Sequence, residues 1–172
     1  KVLTVVYGQP IEAPEAPAKE GYTFAGWGEI PETMPAQDLL FVGSYNVNTY
    51  KVIYTVDGEP YKEVGYAFGA EVTPEPAPVK EGHTFSGWSE IPATMPAHDV
   101  TVTGSFSINS YTATFRIGSE DAPEFEKVLT VVYGQPIEVP EAPTKEGYTF
   151  AGWGEIPETM PAQDLLFVGE CS

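Results

Sequence analysis

The side chains in this sequence that could carry out chemistry are two histidines, one cysteine and many carboxylates. His83 and His98 both lie in the middle one of three similar segments, and the other two segments have Tyr and Gln at the matching positions. A structural zinc site uses about four nitrogen, sulfur or oxygen ligands, and the only thiol is Cys171, next to the last residue. We therefore interpret both histidines as ordinary polar residues and expect no metal site and no cofactor site.

The acidic residues are densest in one segment, which contains Glu120, Asp121, Glu124 and Glu126. Loose calcium binding is one interpretation, but the spacing differs from the alternating acidic ligands of an EF-hand loop. We favour a solvated hairpin loop. The sequence also has no Gly-x-Ser-x-Gly, phosphate-loop or dinucleotide-binding pattern, and each of these marks a particular chemistry. We therefore predict no catalytic residues and a protein that is not an enzyme.

Composition excludes several classes of partner. Eight Lys and Arg against 25 Asp and Glu give a formal net charge of -17, which disfavours binding to nucleic acid or to an anionic membrane surface. Hydrophobic residues make up 42% of the chain and aromatic residues 13%, which is typical of a folded protein. No apolar run reaches the roughly 18 residues that a membrane helix needs, so we expect no direct membrane insertion. The chain begins with Lys1, and we interpret it as a piece of a longer protein.

The elements that must position these residues come from an internal repeat. The sequence KEGYTFAGWGEIPETMPAQD at 19–38 returns unchanged at 145–164, and KEGHTFSGWSEIPATMPAHD at 80–99 is closely related. Residues 1–43 and 127–169 differ at two positions only, Ala13/Val139 and Ala18/Thr144. The pattern predicts an incomplete first repeat at 1–48 that lacks its opening strand, a complete second repeat at 49–109, and a complete third repeat at 110–172 with an enlarged first hairpin.

Strand patterns dominate each repeat. YKVIYTV at 50–56 alternates apolar residues on one face, as a half-buried strand does, and Asp57-Gly58 then favours a tight hairpin. A Pro-rich segment, a short strand in HTFSGW and a last strand in VTVTGSFSI at 100–108 follow. We therefore predict a mainly β protein. It would be an elongated tandem array of four-stranded repeats, each about 60 residues long.

Aromatic residues recur at fixed positions of the repeat. A module this small needs large side chains to build a core, so we interpret the aromatic residues of the repeated phrase as core rather than as a ligand platform: Trp27, Trp88, Trp153, Phe24, Phe85 and Phe150. The outward face of the last strand carries threonines in the second repeat but apolar residues in the others. That apolar face is a candidate interface, and we favour packing within the array over an external partner. Its residues are Leu40, Val42, Leu166 and Val168.

The phrase Gly-Tyr/His-Thr-Phe-x-Gly-Trp, at residues 21–27, 82–88 and 147–153, resembles the Listeria–Bacteroides repeat, also called the internalin-type B repeat. The resemblance covers nearly the whole chain. It implies small α+β, β-grasp-like modules arranged in tandem on secreted or wall-attached bacterial proteins, and it brings no catalytic residues. The sequence departs from the family pattern in the segment Glu-Ile-Pro-x-Thr-Met-Pro-Ala and at His83.

These observations favour a non-catalytic repeat segment of a secreted or cell-surface bacterial protein, which acts as a spacer or stalk and contributes to adhesion. The alternative is a carbohydrate- or protein-binding module that uses exposed tyrosines. The expected partner is a host or cell-surface protein or a glycan, and the expected location is extracellular. An unpaired strand edge in the first repeat also predicts self-association, because an exposed edge can recruit a strand from another molecule.

Overall fold

The computed structural model describes residues 1–172, and all of its regular secondary structure is β-strand. The prediction of a mainly β protein is therefore confirmed. The strands form two three-stranded and two two-stranded sheets. In chain order they are β1 (Tyr22–Phe24), β2 (Tyr45–Val47), β3 (Thr49–Val56), β4 (Glu59–Ala67), β5 (His83–Phe85), β6 (Val100–Gly104), β7 (Phe106–Ile108), β8 (Ser110–Gly118), β9 (Pro123–Val132) and β10 (Leu165–Gly169).

The chain divides into two compact units. One contains residues 1–75 and 88–103, and the other contains residues 76–87 and 104–172. The boundaries of these units differ from those of the predicted sequence repeats, because the small sheet β5–β7 of the second repeat belongs to the same unit as the third repeat.

In the second unit, β8 is the central strand of the sheet β10-β8-β9. It runs antiparallel to β9 and parallel to β10. Its alternate residues Ala113, Phe115 and Ile117 are buried, and they pack with Trp153 and Met160 in one core. Full burial of a large apolar side chain contributes roughly 1.5–3 kcal/mol, so the alternation of β8 supplies much of the stability of this sheet.

In the first unit, β3 has the same central place in the sheet β4-β3-β6. Val52 and Tyr54 are fully buried in a core with Met95. Asp57 and Gly58 join β3 to β4 with positive φ angles of 52° and 80°, the conformation that a two-residue hairpin turn requires.

The strand predicted over residues 100–108 is two strands that belong to different sheets. β6 pairs in the three-stranded sheet, whereas β7 pairs antiparallel with β5. Ile108, the last residue of β7, is exposed. The second repeat therefore contributes five strands to two sheets instead of four strands to one.

The first repeat forms only the small sheet β1–β2. Residues 1–6 and 39–44, which correspond in sequence to strands of the third repeat, have no regular structure. The segment around the Thr-Met-Pro sequence is nevertheless the same in all three repeats. The carbonyls of Met34, Met95 and Met160 each accept a backbone hydrogen bond from a glycine, Gly8, Gly69 or Gly134, at 2.8–2.9 Å.

Candidate functional site: the junctions between repeats

Asn48, between β2 and β3, is the centre of the first junction. Its backbone N–H donates to the carbonyl of Gly21 at 2.8 Å, and its own carbonyl accepts from the N–H of Phe68 at 2.8 Å. The main chain of Asn48 therefore connects the small sheet of the first repeat to the end of the β3–β4 hairpin of the second.

The side chain of Asn48 adds two further contacts across the same junction. The Thr23 hydroxyl donates to Asn48 Oδ1 at 2.6 Å, and Asn48 Nδ2 donates to the Tyr50 hydroxyl at 3.3 Å. Each such hydrogen bond contributes a net of about 0.5–1.5 kcal/mol. These bonds fix the conformation of the single residue that links β2 to β3.

An aromatic ring packs onto a glycine beside this network. Gly21 has a φ of +77° and is buried, and a methyl group at its Cα would collide with the Phe68 ring. The Phe68 ring also meets the Tyr22 ring edge-to-face at a centroid distance of 5.9 Å. Only glycine allows both the left-handed backbone and this close approach.

The second junction repeats the arrangement with different aromatic residues. The Asn109 N–H donates to the Gly82 carbonyl at 2.8 Å, and the Tyr133 N–H donates to the Asn109 carbonyl at 2.9 Å. Thr84 donates to Asn109 Oδ1 at 2.6 Å, and Asn109 Nδ2 donates to the Tyr111 hydroxyl at 3.3 Å. The same geometry at two places shows that the junction is a built feature of the repeat.

The Tyr133 ring occupies the place that Phe68 has in the first junction. A methyl group on Gly82 would collide with it. His83 meets the Tyr133 ring edge-to-face at 6.0 Å and its Nδ1 lies 2.8 Å from the Glu81 carbonyl oxygen. His83 is therefore a packing residue of the junction. The hydrogen bonds of Asn48 and Asn109 join uncharged groups, and salt screens such bonds little.

The junction residues Asn48, Asn109, Phe68 and Tyr133 were not predicted as a site from the sequence. A usable signal was present in the spacing. Asn48 and Asn109 are 61 residues apart, the same spacing as that of Gly21 and Gly82. The threonine whose hydroxyl bonds the asparagine, Thr23 or Thr84, always lies two residues after the glycine and directly before a phenylalanine.

The three tryptophans predicted as core differ in burial. Trp153 is buried in the core of the second unit, Trp88 is half-buried against the core of the first unit, and Trp27 is half-buried outside either core cluster. Each indole N–H donates to a backbone carbonyl 13 residues earlier, that of Pro14, Glu75 or Pro140, at 2.8–3.2 Å. The indole therefore anchors the Pro-rich segment in every repeat.

The three phenylalanines predicted as core are half-buried. The Phe24 ring lies edge-to-face with Trp27 at 5.0 Å, and the Phe150 ring lies in the same way against Trp153 at 4.9 Å. Phe85 lies at the corresponding position of β5.

The residues proposed as an apolar interface are uncovered. Leu40 and Val42 are 87% and 79% exposed. The packing of these residues within the array stays a prediction. Leu166 and Val168 are 54% and 52% exposed. In the third repeat, Leu166 and Val168 are exposed because they lie on the outward face of β10, where they alternate with the inward Phe167 that fills the core. Because β10 is an edge strand, they have a neighbouring strand on one side only.

The acidic loop is partly neutralised by basic side chains. Glu124 accepts from Lys145 at 2.8 Å and Glu126 from Arg116 at 2.7 Å. The hydrogen bond to Glu124 raises the pKa of Lys145. The structure contains no group of three or more His, Cys, Asp or Glu side chains placed to hold a metal ion. It also contains no helix long and apolar enough to cross a membrane.

Comparison with known proteins identifies the repeat. The Listeria-Bacteroides repeat domain matches residues 1–33, 50–105 and 111–159. Internalin H of Listeria monocytogenes is 41% identical over 116 residues, which are 60% of this chain and 20% of that protein. A protein of Evansella cellulosilytica, described as a membrane protein, is 29% identical over 163 residues, 83% of this chain and 24% of the relative. The chain thus spans about a fifth to a quarter of these relatives.

Among solved structures, domains 3–4 of a streptococcal cell-surface protein with high-identity tandem repeats align with 71% of this chain and 96% of their own. Their sequence identity is 17% and the TM-score is 0.26, which is too low to support a shared fold. The family match covers most of the residues and includes all three copies of Gly-Tyr/His-Thr-Phe-x-Gly-Trp, at 21–27, 82–88 and 147–153. The chain belongs to the Listeria-Bacteroides repeat domain family.

Proposed function

We propose that this chain is a non-catalytic spacer segment of a bacterial cell-surface protein, and that it contributes to adhesion by holding a binding domain away from the cell. The observation that carries the proposal is the junction, which uses the same five contacts at Asn48 and at Asn109. Two more observations support it. The relatives include a protein named Internalin H, and a net charge of -17 makes neighbouring copies repel each other.

The mechanism is the restriction of movement between neighbouring repeats. A single residue connects β2 to β3, and another connects β7 to β8. In each case both main-chain groups of that residue are hydrogen-bonded to neighbouring segments. Repeat proteins whose units contact only their neighbours are extended in general, and this general behaviour supports a spacer role.

The test is to place residues 1–172 between a wall anchor and a binding domain of known ligand on a bacterial surface. A matched control replaces the segment with a flexible Gly/Ser linker of equal length, which behaves as a random coil. We expect the repeat segment to give the greater height of the binding domain above the cell surface. Equal heights for the two linkers would refute the spacer role.

A second candidate function is glycan or protein binding by exposed aromatic side chains. The observation that favours it is the exposure of Tyr61 (46%) and Tyr148 (53%). The Tyr61 ring lies 5.7 Å from the half-buried Trp88 ring, so the two rings form a small aromatic surface. Saturable binding on a glycan array that is lost in Tyr61→Ala would establish this function. No binding to any glycan at millimolar protein would exclude the glycan form of it.

A further inference from the structure

The strand β9 has an open edge. It is the longest strand of the protein, with ten residues, and β8 is its only neighbour in the sheet β10-β8-β9. Its last five residues, Val-Leu-Thr-Val-Val at 128–132, carry no charge and include no glycine or proline. The matching strand β4 is also an edge strand, although its repeat lies between the other two in the sequence. An open edge at this place is therefore a feature of the repeat.

The main-chain groups of Val128 and Thr130 point away from β8. Thr130 lies opposite Thr112, but the N–H of Thr112 donates to Oδ1 of Asp164, the residue directly before β10, at 2.8 Å. Thr112 and Thr130 are thus a pair without mutual hydrogen bonds, and such pairs alternate with bonded pairs in antiparallel strands. The N–H and C=O groups of Val128 and Thr130 consequently face the open edge, and they make no main-chain hydrogen bond there.

We propose that β9 pairs antiparallel with β9 of a second copy of this chain. Each three-stranded sheet would then continue into the other, and the main-chain groups at both open edges would be hydrogen-bonded. Because each copy uses the same edge, the contact closes as a dimer. It goes beyond the spacer role and does not depend on it. It also uses a different edge from the one in the first repeat on which the sequence-based expectation of self-association rests.

The charges of β9 select the register of this pairing. Two registers give the longest overlap, one centred on Lys127 and one centred on Val128. The first places Lys127 opposite Lys127 of the second copy, and like charges directly opposite each other destabilise a strand pair. The second places Val128 opposite Val128 and leaves no charge opposite a like charge. Its other pairs include Phe125 with Val131, Glu126 with Thr130 and Lys127 with Leu129.

The second repeat is protected against the same pairing. Glu63 of β4 corresponds to Val128, so the same register would place two carboxylates opposite each other. β4 also has a bulge at Tyr61, which no residue of β3 faces, whereas β9 pairs with β8 without a register shift from Phe125 to Val132. Charged residues and bulges keep edge strands from pairing, and the third repeat lacks both at this place.

The net charge of -17 opposes the dimer mainly at low salt. Repulsion between exposed charges is largely screened beyond about 8 Å at physiological ionic strength, whereas the hydrogen bonds of the strand edge join uncharged groups. The fraction of dimer should therefore rise with salt concentration.

The first test is sedimentation equilibrium of the full chain at about 10 mM and about 500 mM NaCl, with more dimer expected at the higher concentration. Val128→Lys should weaken the dimer at least about tenfold, because like charges then face each other across the contact, even though this change makes the net charge less negative. Val128 is 53% exposed on the outward face, so the fold should tolerate the change. The matched control is Thr101→Lys, which makes the same change of charge at an exposed position of β6 and should leave the dimer intact.

The second test is a cross-link that reads the register, with Cys171 replaced by serine. In Val128→Cys the two facing Cα atoms lie about 5.5 Å apart, a distance that a disulfide spans. Oxidised glutathione should therefore link two copies. Thr130→Cys is the matched control, since Thr130 is exposed on the same face of β9 but lies opposite Glu126 of the second copy, and it should not link.

Three results would overturn the proposal. The first is a strict monomer at millimolar protein in the higher salt. The second is a dimer that keeps its affinity in Val128→Lys, because the contact would then lie elsewhere. The third is a cross-link that forms in Thr130→Cys and not in Val128→Cys.

Discussion

Replacing Gly82 by alanine should destabilise the second unit more than replacing Gly147 by alanine. The two glycines occupy the same position in successive repeats, with φ angles of +71° and +78°. Alanine in this left-handed conformation costs about 1–2 kcal/mol at either position. A methyl group on Gly147 would have no neighbouring atom within 4 Å, whereas a methyl group on Gly82 would collide with the Tyr133 ring.

The collision should add a further cost of about 1–3 kcal/mol, typical of overpacking a tight contact. We therefore expect a free energy of unfolding lower by about 2–5 kcal/mol for Gly82→Ala. For Gly147→Ala we expect a loss of only about 1–2 kcal/mol. Both residues belong to the same unit as the buried Trp153, so urea unfolding followed by tryptophan fluorescence reports both changes under one condition.

A double-mutant cycle separates the contact from backbone strain. In a Tyr133→Ala background the ring is gone, so Gly82→Ala should cost only the strain that Gly147→Ala costs. Equal losses for Gly82→Ala and Gly147→Ala in the wild-type background would refute this reasoning, because the ring contact would then contribute nothing to the junction.

Three further changes test other parts of the structure. Burial raises the pKa of Tyr54 above 10.0, so the stability that this residue contributes is complete below about pH 10 and is lost as pH rises through the raised value. In urea unfolding across pH 8–12, Tyr54→Phe should flatten this loss, and an unchanged loss would contradict it. Trp153→Ala should lower the free energy of unfolding by about 3–5 kcal/mol, and Trp27→Ala by less because Trp27 lies outside the core clusters. Asn109→Ala removes two side-chain hydrogen bonds and should lower the thermal midpoint through a loss of about 1–3 kcal/mol.

Local patterns predicted the strands because strand alternation and turn chemistry depend on neighbouring residues. The hairpin at Asp57 and Gly58 and the buried face of β3 followed from that alternation. The division of residues 100–108 into two strands could not be predicted from alternation. The pattern of alternating residues is the same whether the strand stays in one sheet or changes to another sheet at Ser105.

The junction was also beyond local patterns. Gly21 and Phe68 are far apart in the sequence, and their contact exists only because Asn48 brings β1 and the end of β4 together. The exposure of Leu166 was unexpected for a similar reason. An apolar residue on an outward strand face predicts a cover, but only the sheet order shows that β10 is an edge strand.

The proposed function depends most on one property, that each junction holds the small sheet of one repeat in a fixed arrangement against the hairpin of the next repeat. The most direct measurement is the distance distribution between spin labels at Ser107 in β7 of the second repeat and Lys127 in β9 of the third, both exposed, with Cys171 replaced by serine. We predict one narrow distribution that broadens in Asn109→Ala and keeps its width in Asn46→Ala, a change at an exposed asparagine outside the second junction. A broad distribution in the parent chain, or one that Asn109→Ala does not change, would contradict the claim.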